Sequence, residues 1–176
     1  MVTRRRKPDG RWPDLRNRVA TVLAAVAFLA APALGQQATL AVTGAVEHPL
    51  ELHLGDLEKM PHTRLDVKDH EGNPVSYEGV AVAELLHAAG APAGEKLRGV
   101  GMASYVLAHA KDSYRVVFAL PELDAGFTDT KVIVAYAMNG KPLGEGQGPF
   151  KIVAPQDKRP ARWVRMVDRI EVIKIP

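Results

Sequence analysis

Between Gln156 and Arg165, four cationic side chains, Lys158, Arg159, Arg162 and Arg165, surround one tryptophan, Trp163. A flat apolar face among ammonium and guanidinium donors suits a ligand that is both planar and anionic. The alternative from the same residues is a tryptophan that plugs the core beneath solvated charges. Other chemistries find less support. The six histidines, His48, His53, His62, His70, His87 and His109, are scattered with no HxH or HExxH pair, so surface or core roles are expected of them rather than metal ligation. Ser76, Ser104 and Ser113 are the hydroxyl nucleophiles on offer, and none lies in a GxSxG elbow, so a hydrolase is not expected. The loop Gly144-Glu145-Gly146-Gln147-Gly148-Pro149 could present backbone N–H groups to an anion. It does not open onto a helix, so it is neither a dinucleotide fingerprint nor a P-loop, and a plain connection between strands is the simpler expectation. Cysteine is absent from all 176 residues, which removes thiolate nucleophiles, thiolate metal ligands and disulfides together.

The elements that must carry these residues are mostly strands. From Leu40 onward apolar residues alternate or run in short stretches bounded by Gly, Pro or Asp. Strands are predicted near Leu40 to Val46, Leu50 to Leu54, Thr63 to Val67 and Val75 to Tyr77, the last two joined in a hairpin by His70-Glu71-Gly72-Asn73. Ala81 to Ala89 places Val82, Leu85, Leu86 and Ala89 at helical spacing and stops at Gly90, which predicts one helix laid on a sheet face. Tyr105 to His109 and Arg115 to Leu120 flank a second hairpin turn at Lys111-Asp112-Ser113, and Pro121-Glu122-Leu123 opens a short helical turn. Lys131 to Met138, Phe150 to Ala154 and Val167 to Ile175 complete the strands, with a turn at Asn139-Gly140. The expected class is α+β, mixed and mostly β, in a single domain.

Arg4, Arg5, Arg6, Lys7, Arg11, Arg16 and Arg18 precede an uncharged run from Val19 to Ala31, followed by small residues at Ala33 and Gly35. This is the pattern of a secretory signal peptide over residues 1–35, cleaved before Gln36, and it predicts a periplasmic or secreted domain over 36–176. The run has 13 residues, too few for a span that needs about 20. Thr3-Arg4-Arg5 is similar to a twin-arginine signal, but Arg6, Lys7 and Pro8 stand where that signal wants apolar residues. With residues 1–35 set aside, 16 Lys/Arg face 18 Asp/Glu, so the basic character of the whole chain is no argument for nucleic acid as a partner. A domain of this length can build a core without covalent staples.

Several segments together resemble the molybdopterin-binding domain of the sulfite oxidase family. They are Val42-Thr43-Gly44-Ala45-Val46 with Pro49 and Leu57, then Gly79-Val80-Ala81-Val82 with Leu85-Leu86 and Ala89-Gly90, then Ala110 to Phe118, Val134-Ala135-Tyr136 with Asn139 to Leu143, and Gly148 to Val153. The resemblance spans residues 38 to 176 and implies the mixed α+β fold of that family, with a pterin in a groove lined by loops. It also implies a departure: redox members carry a molybdenum-ligating cysteine just before the Gly79-Val80 element, and this chain reads Val67-Lys68-Asp69-His70-Glu71-Gly72-Asn73 there. The chain is similar to small exported members that bind a pterin without chemistry of their own and signal to a membrane sensor protein; a molybdopterin-dependent oxidoreductase, or a subunit of one, is the alternative, and a ligand-free interaction domain a third. By position, the resemblance places the ligand against the Asp112 to Arg115 turn and the Asp157 to Trp163 stretch. It assigns Trp163 or Tyr114 to stacking, Asp112 or Asp157 to the pterin edge, and Arg115, Lys158 and Arg162 to polar or anionic tail contacts.

Overall fold

The computed structural model describes residues 38–69 and 71–175; the signal peptide expected over 1–35 and His70 of the first hairpin lie outside the described residues. Among the described residues ten strands form two sheets. The first has the order β2-β1-β10-β5-β6, from β1 (Thr39–Gly44), β2 (Leu50–His53), β5 (Tyr105–Ala110), β6 (Arg115–Ala119) and β10 (Val167–Ile173). Its neighbours are antiparallel except β1 and β10, which run parallel with Val42 opposite Ile170. Gly44 makes that pairing possible: its φ is +91° and the carbonyl of Val172 lies 2.1 Å from where a Cβ would stand.

The second sheet has the order β3-β4-β7-β8, from β3 (His62–Lys68), β4 (Pro74–Ala81), β7 (Ile133–Met138) and β8 (Lys141–Pro142), with β9 (Lys151–Val153) also paired to β7. Period-two burial on β1 and β10 turns Leu40, Val42, Ile170 and Val172 inward. They pack with Val80, Val134, Phe118, Phe150 and Ile152 in the main core. Helix α1 (Val82–Ala88) leaves β4 without a break, the N–H of Val82 donating to Val132, and adds Val82, Leu85 and Leu86 to that core before Gly90 ends it at φ +71°.

A bulge on β7 decides what the other face of the second sheet presents. The register steps from Glu78 to Gly79 on β4 while it steps from Ala137 to Ala135 on β7, so Tyr136 is the extra residue. Tyr136 and Ala137 therefore join the main core, and Ala135 and Met138 fall on the opposite side with Tyr77, Ile133 and Val153. That smaller cluster, with Trp163 packed against it, underlies the site described below.

Most expected elements are present, with corrected bounds. The strand expected at Val75 to Tyr77 continues to Ala81, because pairing with β7 carries it through Gly79 and Val80, and the helix begins only after Ala81. The turns at Leu54–Leu57, Gly94–Lys96, Gly99–Ala103 and Pro160–Arg162 and the two-residue β8 were not anticipated, being too short to show a period.

Candidate functional site

Lys151 is the unusual residue of the fold. On β9, Ile152 faces the main core, so the alternation of the strand turns Lys151 and Val153 to the opposite side, beside Tyr77. The lysine is only 7% exposed. Its Nζ donates to Tyr77 Oη at 2.9 Å and to Gln147 Oε1 at 2.8 Å. It also stands 4.8 Å from the centre of the Tyr77 ring and 5.7 Å from that of Trp163. The two rings meet edge to face, 6.0 Å apart at 87°. No carboxylate pairs with Nζ among the described residues. Burial pushes the Lys151 ammonium down to about 8, with the nearby Arg165 charge acting in the same direction. Burial, helped by the Asp69 charge, pushes the Tyr77 phenol up, so it stays protonated at neutral pH.

Above this floor opens a groove of about 1000 Å³. One wall is the β3–β4 hairpin, which contributes Lys68, Asp69, Asn73 and Val75. Asp69 Oδ1 shapes that turn by accepting the N–H groups of Glu71 and Asn73, both at 2.9 Å. At the end of β7, Asn139 takes a positive φ of 52° and is fastened to Ser76 twice, its N–H donating at 2.8 Å and its Oδ1 accepting at 2.9 Å.

The facing wall is the segment from Asp157 to Arg165. The indole N–H of Trp163 donates to the Ala154 carbonyl at 2.8 Å, which fixes the ring. Arg162 points away from the groove: it forks onto Asp157 at 2.9 and 2.6 Å, reaches Glu122 at 2.8 Å, and lies 4.6 Å from the centre of the Phe118 ring. The Asp157 carboxylate, joined by Glu122, holds the Arg162 guanidinium still more firmly protonated. A smaller cavity of about 240 Å³ shares Trp163, Pro160 and Arg165 with the groove and is lined by Asp112, Tyr114 and Ala161 as well. Tyr114 spans it, its N–H donating to Asp112 Oδ1 at 3.0 Å and its hydroxyl to the Ala161 carbonyl at 2.7 Å.

The expected site residues thus separate. Trp163 lines both cavities, Asp157 and Lys158 line the larger one, and Asp112 and Tyr114 line the smaller. Both Asp157 oxygens accept from Arg162, an ion pair that braces the wall segment. Arg162 and Arg115 line neither cavity. The glycine loop departs from the anion nest considered for it: the N–H groups of Gln147 and Gly148 both turn back to the Gly144 carbonyl at 3.1 Å, and the Gln147 side chain is what reaches the groove. Tyr77, Lys151 and Gln147 were missed. The available signal was a lysine set in the apolar frame of Phe150, Ile152 and Val153.

Five cationic side chains and two carboxylates line the larger groove, and one of those carboxylates is neutralised by Arg162. Aromatic walls with excess positive charge accept a flat anion. Among the described residues no three His, Asp or Glu side chains converge as a metal site would require.

A profile of the family described as the oxidoreductase molybdopterin binding domain matches residues 29–176. No curated protein matches the chain. Among solved structures, the crystal structure of the sulfane dehydrogenase SoxCD from Paracoccus pantotrophus is similar, with a TM-score of 0.62 and 21% identity over 78% of this chain. The match spans 38% of that protein's chain, and at this identity it is a likeness of fold.

Proposed function

Since the chain belongs to the oxidoreductase molybdopterin-binding domain family, we propose that it is an exported module that holds a pterin-type ligand in the groove above Lys151, without catalysing a reaction of its own, and that it passes the bound state to a membrane receptor. The observation that carries this reading is the buried Lys151 ammonium, without a carboxylate partner among the described residues, beside the paired rings of Tyr77 and Trp163. A pterin is flat enough to lie on such rings, and the cations Lys158, Arg159 and Arg165 on the same wall suit a phosphorylated tail. The leader pattern of residues 1–35 supports export.

The fit to a metal-bearing pterin is partial. Such a group brings two-electron chemistry with it when bound. This chain has no cysteine to give a molybdenum centre a thiolate, and the hairpin turn where the resemblance expects one brings Lys68, Asp69 and Asn73 to the groove instead. In this reading Tyr77 and Gln147 position the Lys151 amine, Trp163 lines both cavities, and the Arg162–Asp157 fork keeps the wall rigid. The family match itself favours a second reading, a molybdopterin-dependent oxidoreductase or a subunit of one.

Two tryptophans, Trp12 and Trp163, occur in the chain, so in a Trp12→Phe background the fluorescence reports Trp163 alone. Titration with oxidised and reduced pterins and with molybdopterin should quench it saturably, and calorimetry should show weaker binding for Trp163→Phe. An absence of saturable response to all of them refutes the pterin reading. Stoichiometric molybdenum in the isolated protein, with turnover of an electron acceptor, would move the conclusion to the second reading.

A further inference from the structure

We propose that Lys151 is a reactive amine that condenses reversibly with a small aldehyde or ketone carrying an anionic group, which makes the groove a carbonyl-binding site. The inference deepens the reading of the groove as a ligand site and does not depend on the ligand being a pterin.

A nucleophilic lysine must be both reachable and neutral, and the two conditions usually conflict, since exposed lysines stay charged and buried ones are sealed off. Lys151 meets both. It lines the groove, yet it is buried beside the Arg165 charge with no carboxylate paired to it among the described residues, and that burial outweighs the acceptors and rings around Nζ. From β4 it meets the neutral phenol of Tyr77, from the loop before β9 the neutral amide of Gln147, and from the wall segment the indole of Trp163 and the cation Arg165. Asp157 on that wall is committed to Arg162, and Asp69 of the hairpin acts on Tyr77. With the ammonium brought down to about 8, roughly half of Lys151 is neutral at that pH. An ordinary lysine there is neutral in well under ~1% of molecules, so Lys151 presents about a hundredfold more free amine. Lys59 and Lys96 give an internal comparison: their side chains are 80% and 75% exposed, and each stands beside a carboxylate, Asp56 and Glu47.

The chemistry balances with groups already in place. The Nζ lone pair attacks the carbonyl carbon; a C–N bond forms and the C=O π pair moves to oxygen, which takes the proton of Tyr77 Oη, 2.9 Å from Nζ in the structure. The carbinolamine nitrogen then gives up both of its protons, one leaving with the hydroxyl group as water while the nitrogen lone pair forms the C=N bond and the other returning to the Tyr77 phenolate, which leaves an imine and an unchanged tyrosine. The cations Lys158, Arg159 and Arg165 receive the anionic group of the carbonyl compound.

The test uses the full chain and pyridoxal 5′-phosphate, an aldehyde with a phosphate, followed by borohydride reduction and peptide mapping. One reduced adduct per chain is expected at Lys151, formed at pH 8 at least about tenfold faster than at Lys59 or Lys96. Its rate should level off above about pH 8, where the amine is already neutral. Lys151→Arg should remove that adduct alone, and Tyr77→Phe should slow it without moving it. Pyridoxine 5′-phosphate, which has no carbonyl, should give no adduct and should compete. Labelling of Lys151 no faster than Lys59 and Lys96 overturns the proposal, and this comparison within one chain stands even if a variant misfolds. Pterin binding with an inert Lys151 refutes this inference and keeps the pterin reading; a reactive Lys151 with no pterin response does the reverse.

Discussion

Replacing Lys151 by Met should make the protein more stable at neutral pH and should reverse that advantage in alkali. In the folded protein the lysine titrates at about 8, and in the unfolded chain at its ordinary 10.5. Below pH 8 both states carry the proton, and folding bears the full cost of placing a charge on a side chain that is only 7% exposed. The gap between the two values, at about 1.36 kcal/mol per pKa unit, puts that cost at about 3 kcal/mol. Between pH 8 and 10.5 the unfolded chain holds more protons than the folded one, so the lysine's contribution to stability improves with pH, and above 10.5 the cost is gone. Methionine carries no charge but leaves Tyr77 and Gln147 without their shared donor, a loss of about 1 kcal/mol. The variant should therefore exceed the wild type by about 2 kcal/mol at pH 7 and fall about 1 kcal/mol below it at pH 10.5. Urea unfolding of both proteins at pH 7, 8, 9, 10 and 10.5 measures the difference directly, because titrations common to the two cancel. A difference that stays constant over this range would refute the assignment of a desolvated charge to Lys151.

Arg162→Ala should destabilise the fold by about 1–2 kcal/mol in urea unfolding, since it removes the fork onto Asp157 and the bond to Glu122 from a partly exposed site. Because Arg162 lines neither cavity, the same variant should weaken pterin binding by loosening the wall rather than by removing a contact, and calorimetry should show a less favourable binding entropy. Gly79→Ala should cost about 3 kcal/mol or more in thermal unfolding: the new Cβ would stand 2.1 Å from the Val134 carbonyl oxygen and 2.6 Å from the Ala135 Cα, atoms of the adjacent strand that cannot move independently. Gly55→Ala has nothing within 4 Å and lies in the turn Leu54–Leu57, so its melting curve should stay close to wild type.

Where side chains alternate over several residues, the sequence already displayed the fold. The β5–β6 hairpin is legible because Tyr105 to His109 and Arg115 to Leu120 bracket a polar turn, and α1 because Val82, Leu85 and Leu86 share a helix face. The bulge at Tyr136 was not legible, since it is a relation between two strands more than 50 residues apart and neither strand signals it alone. The site was readable in part for the same reason. Trp163 and Lys158 belong to one crowded local segment, whereas Lys151, Tyr77 and Gln147 meet only when β9, β4 and a loop are assembled. The pairing of Arg162 with Asp157 was not legible, because charge visible in sequence says nothing about its partner, and Glu122 and Phe118 come beside Arg162 only in the assembled fold.

The parallel pairing of β1 with β10 has a consequence for how the chain comes to be folded. In the order β2-β1-β10-β5-β6, the strand made last of the five sits between the two made first and the two made next. Until Val167–Ile173 has been synthesised, the first sheet exists only as two separate ribbons with open edges. Closing it joins residues about 130 positions apart, a connection of high contact order that forms slowly. The second sheet, complete once Val153 is made, does not wait for that strand, so the two sheets close at different stages of chain growth.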